Sequence, residues 1–391
     1  MFNKKIGIIG GGQLGKMMIL EAKRLGLYII TLDPDANCAS HSISDEHIIA
    51  DLYDEAAIIE LAGKVDIITY EFEKINAEAL IKLEKKGHAI YPSASSLSII
   101  QDKYLQNDKL REHGIQVPNF EPIDNLDSLR EYAKRSGYPI MLKSRKNGYD
   151  GKGNFLIRNE SELETGFNTL NLLPDNAVLQ VSERLMVEQF MDFDREVSVV
   201  ATRGINGKKV VYPVPYNVHK DSILDYMMIP ADLSSDLHAS IRETAEKVMD
   251  VFDGVGTFCV EMFIAKDNQI YINEVAPRPH NSGHYTIEGC RVNQFENHIR
   301  AILGLPLGDT SLLHKAVIMR NLLGQSNGAA KIEGIEEAYE YEGVNVHVYG
   351  KSESKTARKM GHYTITADSL AQAREIDSKI SKIVKITGET I

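Results

Sequence analysis

Gly256-Thr257-Phe258-Cys259-Val260-Glu261-Met262-Phe263-Ile264-Ala265-Lys266-Asp267-Asn268-Gln269-Ile270-Tyr271-Ile272-Asn273-Glu274 is the stretch on which the reading of this chain turns. Two apolar runs flank the polar residues Lys266 to Gln269, the pattern of a strand, a turn and a second strand. Closing the turn symmetrically sets Lys266 opposite Gln269 and, in the same register, Glu261 opposite Glu274 on one face. Directly opposed side chains have Cβ atoms roughly 5 Å apart, and like charges there are destabilising. Phe263 and Ile272, read onto the same face, offer the carboxylates no partner. A hard cation resolves the conflict: Mg²⁺ takes oxygen ligands, typically one or two carboxylates together with substrate phosphates. The competing reading is an exposed hairpin end where water screens both charges. A register slip of one residue would move one glutamate to the other face.

The residues that follow favour a site. Ala276-Pro277-Arg278-Pro279-His280-Asn281-Ser282-Gly283-His284 is too rich in proline and polar groups to continue a central strand. Functional loops often sit on such rigid neighbours. Arg278 is a candidate phosphate fork, and His280 and Asn281 are candidate orienting groups.

Composition bounds the alternatives. The 391 residues, 43% hydrophobic and 25% charged, suit a globular protein of two or three domains. A net charge of -11 argues against a nucleic-acid partner, which would call for a basic face. Cys38, Cys259 and Cys290 are widely spaced and form no disulfide framework or CxxC pair, so a reducing cytoplasm is expected. Ile6 to Ile9 is too short for the core of a signal peptide and runs into glycines. No apolar stretch is long enough to span a membrane.

Taken in order, the chain alternates. Lys5 to Ile9 reads as a buried strand, Gly10-Gly11-Gly12-Gln13-Leu14-Gly15 turns into a helix running to about Leu25, and Tyr28 to Leu32 is the next strand, ending at Asp33. This is G-x-G-x-x-G inside a βαβ unit with an acid about 20 residues on, the pattern of a dinucleotide site with Asp33 on the ribose. The same glycines also serve other phosphate ligands, or only tight helix–sheet packing. Asp66 to Tyr70 is a further strand, and Glu73 lies just past its carboxyl end, the edge where ligands of open α/β sheets bind. Its plainer role is an acid at a helix N-terminus. Ser98 to His113 reads as one helix containing Lys103.

A second glycine cluster, Asn147-Gly148-Tyr149-Asp150-Gly151-Lys152-Gly153-Asn154, joins a strand at Tyr138 to Lys143 to a return strand at Phe155 to Arg158. It is strand–loop–strand, not the strand–loop–helix of a P-loop. Such a loop can close over phosphates, with Lys143 and Lys152 supplying charge; the alternative is a plain mobile hairpin loop. Strands follow at Leu185 to Met191, Arg195 to Val200 and Lys209 to Tyr212, and an amphipathic helix at Ser240 to Phe252 leads into the hairpin. Beyond residue 305 come strands at Lys315 to Leu322 and Val344 to Tyr349. Then Lys351, Lys355, Arg358 and Lys359 cluster in an otherwise acidic chain, as an anion site or a solvated basic loop.

Together these stretches resemble the ATP-grasp superfamily and, within it, the 5-(carboxyamino)imidazole ribonucleotide synthase family of purine biosynthesis. The resemblance is carried by Gly-Gly-Gly-Gln-Leu-Gly-Lys (10–16), Tyr-Glu-Phe-Glu (70–73), Gly-Tyr-Asp-Gly-Lys-Gly (148–153), Glu-Gln-Phe (188–190), Arg-Glu-Val-Ser (195–198), Asn-Glu-Val-Ala-Pro-Arg-Pro-His-Asn-Ser-Gly-His (273–284) and Arg-Lys-Met-Gly-His (358–362). It spans nearly the whole chain.

The resemblance implies an α/β, three-domain ATP-grasp fold: an N-terminal Rossmann-like (pre-ATP-grasp) domain over 1–104, an ATP-grasp domain over 105–305 with a mobile lid at about 120–185, and a small C-terminal β-rich domain over 306–391. It implies a cytoplasmic homodimer that takes ATP, bicarbonate and aminoimidazole ribonucleotide, with no nucleic-acid or membrane partner. Lys103 and Lys143 would hold ATP phosphates under the loop Gly148, Tyr149, Asp150, Gly151, Lys152, Gly153 and Asn154. Glu188, Gln189, Phe190 and Met191 would line the adenine, with Glu196 on the sugar and His219 near the nucleotide. Glu261 and Glu274, with Asn273 beside them, would hold Mg²⁺. The ribonucleotide would meet Gln13, Leu14, Glu73, Tyr149, Asp150, Arg278, His280, Asn281, Lys351 and Arg358, and Asp150, Tyr149, Arg278 and His280 would serve catalysis. Many relatives carry Arg at Lys152, where a bidentate contact would be lost here. The resemblance reassigns the first glycine motif to the acceptor substrate and leaves Asp33 without a dinucleotide role. Three alternatives stay open: another ATP-grasp ligase or formate-dependent ribonucleotide transformylase, a non-catalytic nucleotide-binding regulator, and an NAD-dependent oxidoreductase.

Overall fold

The computed structural model describes residues 3–146, 148, 153–172, 181–220 and 223–389. Five parallel strands open the chain: β1 (Lys5–Ile9), β2 (Tyr28–Leu32), β3 (Glu46–Ile48), β4 (Ile67–Tyr70) and β5 (Ala89–Ile90), in the order β3-β2-β1-β4-β5. Ile6, Ile8, Ile9, Ile29 and Ile68 are buried in this sheet, as expected where helices cover both faces of parallel strands. The glycine turn, Asp33 and Glu71 all follow strand carboxyl ends, so they gather at one edge.

Next come β6 (Phe120–Pro122), β7 (Ile140–Ser144), β8 (Asn154–Ile157) and β9 (Leu185–Gln189), in an antiparallel sheet ordered β6-β9-β7-β8. β10 (Phe193–Arg203), β11 (Lys209–Val211), β12 (Tyr216–Lys220), β13 (Ile223–Ile229), β14 (Gly256–Ala265) and β15 (Ile270–Ala276) divide between two further sheets. One is β11-β10-β14-β15, whose Val197, Val199, Val260, Met262, Ile264 and Ile272 pack on the helix Ser235–Phe252. The other carries β12 and β13 into the C-terminal part. There they pair on β16 (Ala316–Leu323) in the order β12-β13-β16-β20-β18, with β18 at Val344–Val348 and β20 at Lys359–Ala367. Short strands β17 (Gly328–Glu333), β19 (Glu353–Ser354) and β21 (Lys385–Glu389) form a separate three-stranded sheet.

Two expectations need correction. Ser98 to His113 is two helices, Ala94–Ile100 and Lys103–Glu112. Asp102 stops the first and caps the second, accepting hydrogen bonds from the Tyr104 and Leu105 N–H groups, and is itself gripped by Arg145 through Nε (2.9 Å) and Nη2 (2.7 Å). Lys103 is therefore the first residue of a helix, not an interior one.

The hairpin was also misread near its turn. Ala265 pairs with Gln269, and Asn268 adopts the left-handed conformation with φ +64°, which a short amide side chain tolerates. The loop holds three residues, Lys266 to Asn268, against two in the symmetric reading. Phe263 accordingly pairs with Tyr271, and Ile272 points into the core opposite Met262 rather than beside Phe263. A bulge at Asn273 then restores the register, so Glu261 pairs with Glu274 as expected. Bulges of this kind re-aim side chains beside active sites.

Candidate active site

A cavity of about 2210 Å³ lies where the carboxyl edge of the first sheet, the sheet of β6 to β9, the hairpin face of β14 and β15 and the segment 351–359 converge. Glu261 and Glu274 face it from β14 and β15. Among the described residues the cation bonded to this pair is Lys103, whose Nζ lies 2.8 Å from Glu274 Oε2. Burial would raise the Glu274 carboxyl, but Lys103, with Lys143 and Arg278, holds the group below the usual range. Glu261 has no such partner, and burial, Glu196 and Glu274 push it up to about 8. Glu196 is also raised, first by burial. The face thus holds more carboxylate than cation. Two convergent carboxylates suit Mg²⁺, which completes its shell with phosphate oxygens and water. Among the described residues no cluster of three or more His, Cys, Asp or Glu side chains makes an all-protein metal cage.

Lys143 rises from β7 to meet Glu188 of β9 at 2.5 Å, and Asn107 Nδ2 donates to the other Glu188 oxygen at 2.9 Å. Both lysines expected to hold phosphates therefore stand on carboxylates. His219 Nδ1 lies 3.7 Å from Glu196, and burial lowers its pKa.

Across the cavity, Arg278 Nη2 bonds Glu73 Oε1 at 2.7 Å, while its Nε is buried without a hydrogen-bond partner among the described residues. The Ser282 N–H donates to His280 Nδ1 (3.3 Å), and the Ser282 hydroxyl lies 2.8 Å from the same nitrogen. An accepting Nδ1 carries no proton, so the neutral ring holds its proton on Nε2, which stands 3.9 Å from Glu261 Oε1. Burial, then Arg278, keeps His280 well below its ordinary pKa. Asn281 is buried, and both atoms of its side-chain amide lack partners among the described residues. Lys351 Nζ donates to the Lys359 carbonyl (2.8 Å) and Arg358 Nη1 to the Glu353 carbonyl (2.9 Å). Burial, then Arg358, lowers Lys351 to about 8.

The first glycine turn differs from the dinucleotide pattern. Glu71 accepts hydrogen bonds from the Gly12 N–H and, at 2.6 Å, from the Gly15 N–H, while Asp33 Oδ2 accepts from the Gly11 N–H at 2.7 Å. The amides that would hold a pyrophosphate are filled by the chain's own carboxylates, and Asp33 is turned inward. This removes the motive for the NAD reading.

Gln13, Leu14, Glu73, Lys103, Lys143, Gly148, Asn154, Glu188 to Met191, Glu196, His219, Glu261, Asn273, Glu274, Arg278, His280, Asn281, Lys351 and Arg358 all line this one cavity. Gly153 sits below it, its carbonyl accepting from the Ser144 N–H at 2.7 Å. Tyr149, Asp150, Gly151 and Lys152 lie outside the described residues.

Three family models match the chain: a ribonucleotide synthetase preATP-grasp domain over residues 3–101, an ATP-grasp domain over 108–295 and a phosphoribosylaminoimidazole carboxylase C-terminal domain over 317–376. The chain is 38% identical over 375 residues to an N5-carboxyaminoimidazole ribonucleotide synthase of Staphylococcus aureus (strain COL), covering 96% of each. The chain belongs to the N5-carboxyaminoimidazole ribonucleotide synthase family. A solved N5-carboxyaminoimidazole ribonucleotide synthetase from Thermotoga maritima has 40% identity and a TM-score of 0.87, over 99% of this chain and 100% of that one. An N5-carboxyaminoimidazole synthase from Aspergillus clavatus, solved in complex with ADP and 5-aminoimidazole ribonucleotide, has 31% identity and a TM-score of 0.87, over 98% and 99%. The cavity draws on all three matched regions: Glu73 falls in the first, Glu261 to Asn281 in the second, and Lys351 and Arg358 in the third.

Sequence reasoning missed Glu71, Asp102, Arg145 and Ser282. Glu71 carried a signal, an acid just past a strand end beside a glycine turn left empty. The Asp102–Arg145 and Ser282–His280 contacts carried none that spacing could reveal.

Proposed function

We propose that the protein carboxylates 5-aminoimidazole ribonucleotide with bicarbonate, at the expense of ATP, to give 5-(carboxyamino)imidazole ribonucleotide, ADP and phosphate in de novo purine biosynthesis. A bicarbonate oxygen attacks the γ-phosphorus and the ADP oxygen leaves, forming carboxyphosphate. The amine nitrogen then bonds to the carboxyl carbon, phosphate departs, and the nitrogen loses a proton. Whether the amine meets carboxyphosphate itself or CO₂ released from it, the atoms balance in the same way.

The observation that carries this reading is the charge arrangement of one cavity. Glu261 and Glu274 leave carboxylate uncompensated on one wall, while Arg278, the unpartnered Asn281 amide, Lys351 and Arg358 stand on the other. Glu261 and Glu274 would hold Mg²⁺, which would supply charge to neutralise the phosphates. Lys103 and Lys143 exchange their carboxylate partners for phosphate oxygens. The strand around Glu188 to Met191 takes the adenine, and Glu196 and His219 take the sugar side. Arg278 and Asn281 bind the carboxyl being transferred, and His280 donates Nε2–H to it. Lys351 and Arg358 bind the ribonucleotide phosphate, with Gln13, Leu14 and Glu73 on its other side.

On the family resemblance the loop 148–153 would close over the phosphates and shield carboxyphosphate from water, and Asp150, with Tyr149, would serve the acceptor by orienting its amine or taking its proton. Asp150→Asn then uncouples the enzyme, with phosphate release outrunning product; product and phosphate staying in step would make Asp150 structural. The working unit is a cytoplasmic homodimer with domain boundaries near 104/105 and 305/306. What supports a soluble setting is that no helix among the described residues is long and apolar enough to cross a membrane. The functional reading is tested by following phosphate release from ATP: it requires bicarbonate and responds to 5-aminoimidazole ribonucleotide. ATP turnover indifferent to both would reject it.

A further inference from the structure

Behind the cavity lies a stack of imidazole rings. His347 of β18 and His362 of β20 are cross-strand partners with ring centroids 4.4 Å apart and planes 11° from parallel. His284, at the end of the loop that carries Arg278 and His280, covers the other face of His362 at 4.5 Å and 18°. Phe295 lies beyond His284 at 5.8 Å. His284 and His362 are fully buried. Burial, together with the neighbouring imidazoles, keeps both rings well below their ordinary pKa, so they stack as neutral rings.

Offset or stacked π faces attract when ring centroids lie 4.5–7 Å apart, and such pairs contribute beyond the area they bury. Yet a dry core would build such a stack from Phe. Here neither nitrogen of His284 nor Nε2 of His362 has a hydrogen-bond partner among the described residues. A buried polar atom without a partner costs about 1–3 kcal/mol. Packing alone therefore does not explain three histidines.

What the stack connects does explain them. His362 Nδ1 is 3.0 Å from the Tyr349 hydroxyl, and Lys351 Nζ lies over the Tyr349 ring, 5.6 Å from its centroid. The Tyr349 N–H donates to the Met360 carbonyl, which ties the cationic segment to the start of β20. At the other end, Gln294 clamps the backbone of His280, with Oε1 accepting from its N–H (2.9 Å) and Nε2 donating to its carbonyl (2.7 Å). His284 is thus the point at which the loop of Arg278 and His280 touches the chain Lys351–Tyr349–His362.

We propose that His284, His362 and Tyr349 are positioning residues that fix the separation between the cations Lys351 and Arg358 and the carboxyl-transfer groups Arg278 and His280, and so set the fit of the acceptor ribonucleotide. None of the three lines the cavity; each acts through the residues it holds. A rigid chain of contacts of this kind matters because small displacements of aligned groups are costly in rate. The proposal rests on the carboxylation reading.

The test is steady-state kinetics on the full-length protein. His284→Ala raises the KM for 5-aminoimidazole ribonucleotide at least tenfold and leaves the KM for ATP within twofold. Tyr349→Phe, which keeps the ring and removes one hydroxyl, raises the ribonucleotide KM about threefold and serves as the test if His284→Ala fails to fold. Because both act through one chain, the double variant is no worse than His284→Ala alone. A stability change without a KM change, an equal rise in the KM for ATP, or independent multiplication of the two effects overturns the proposal. A wild-type protein with no ribonucleotide-dependent turnover would take down the functional reading and this proposal with it. An active wild type with an indifferent Tyr349→Phe and His284→Ala takes down only the proposal.

Discussion

The glycine turn at 10–15 and the hairpin end at Glu261 and Glu274 both look, in the sequence, like places where charge meets phosphate. In the turn, the amides of Gly11, Gly12 and Gly15 are each taken by a carboxylate of the same chain. At the hairpin end, among the described residues, Lys103 is the cation that bonds the carboxylate pair, through Glu274. The turn is closed by its own residues and the hairpin end is left short of positive charge. In the turn the satisfied amides fix the backbone that presents Gln13 and Leu14 to the cavity; at the hairpin end the excess of carboxylate is where a cation enters.

The largest effect that could break this contrast is at the hairpin. Glu274→Gln keeps the side chain's shape and an oxygen for Lys103, so the fold stands, but Mg²⁺-dependent ATP turnover falls about a hundredfold, about 2.7 kcal/mol of transition-state stabilisation. Turnover near wild type at limiting Mg²⁺ would show that the pair holds no metal.

The complementary change is at the turn. Glu71→Ala leaves the Gly12 and Gly15 amides without their acceptor and lowers stability by about 1–3 kcal/mol, read as a shift in the urea midpoint. The two variants should therefore separate: one loses turnover and keeps stability, the other loses stability. A Glu71→Ala protein as stable as wild type would mean that Glu71 does not hold the Gly12 and Gly15 amides.

The basic segment sharpens the contrast on a smaller scale. Lys351→Ala and Arg358→Ala each raise the KM for 5-aminoimidazole ribonucleotide about tenfold and spare the KM for ATP. Weakened ATP binding instead would assign these cations to the wrong ligand. The smallest effect is in pH. With Lys351 lowered to about 8 by burial, its ammonium is charged below that pH and loses its proton above it. The ribonucleotide KM therefore rises between about pH 7 and pH 9. Lys351→Arg stays charged and flattens that rise; an unchanged profile in that variant would place the titration elsewhere.

The hairpin also shows how far the sequence could be read. Alternating apolar residues gave the two strands, and opposed glutamates followed from a symmetric turn. The loop in fact takes one residue more, Lys266, from the first strand, and the extra residue at the Asn273 bulge on the second strand offsets it. The right pair came from two deviations that cancel, while Ile272, lying between them, was assigned to the wrong face. Strand β2 was legible to the residue because four consecutive buried positions leave little choice. The break at Asp102 was not, since the apolar spacing of Leu97, Ile100 and Leu110 runs through it and its cause, Arg145, is 43 residues away. The same holds for Glu71, whose partner Gly15 is 56 residues earlier, and for the imidazole stack, which β18, β20 and the 280–284 loop build only once folded. Residues joined by long-range contacts leave no periodic trace.

The central claim is that one cavity couples phosphate transfer at the hairpin to carboxyl transfer at the loop of Arg278 and His280. The direct measurement is the ratio of labelled carboxyl, from isotopic bicarbonate, found in the ribonucleotide product to phosphate released, at saturating ATP, Mg²⁺ and 5-aminoimidazole ribonucleotide. The account predicts about one label per phosphate. Steady phosphate release with no label in the ribonucleotide would contradict it.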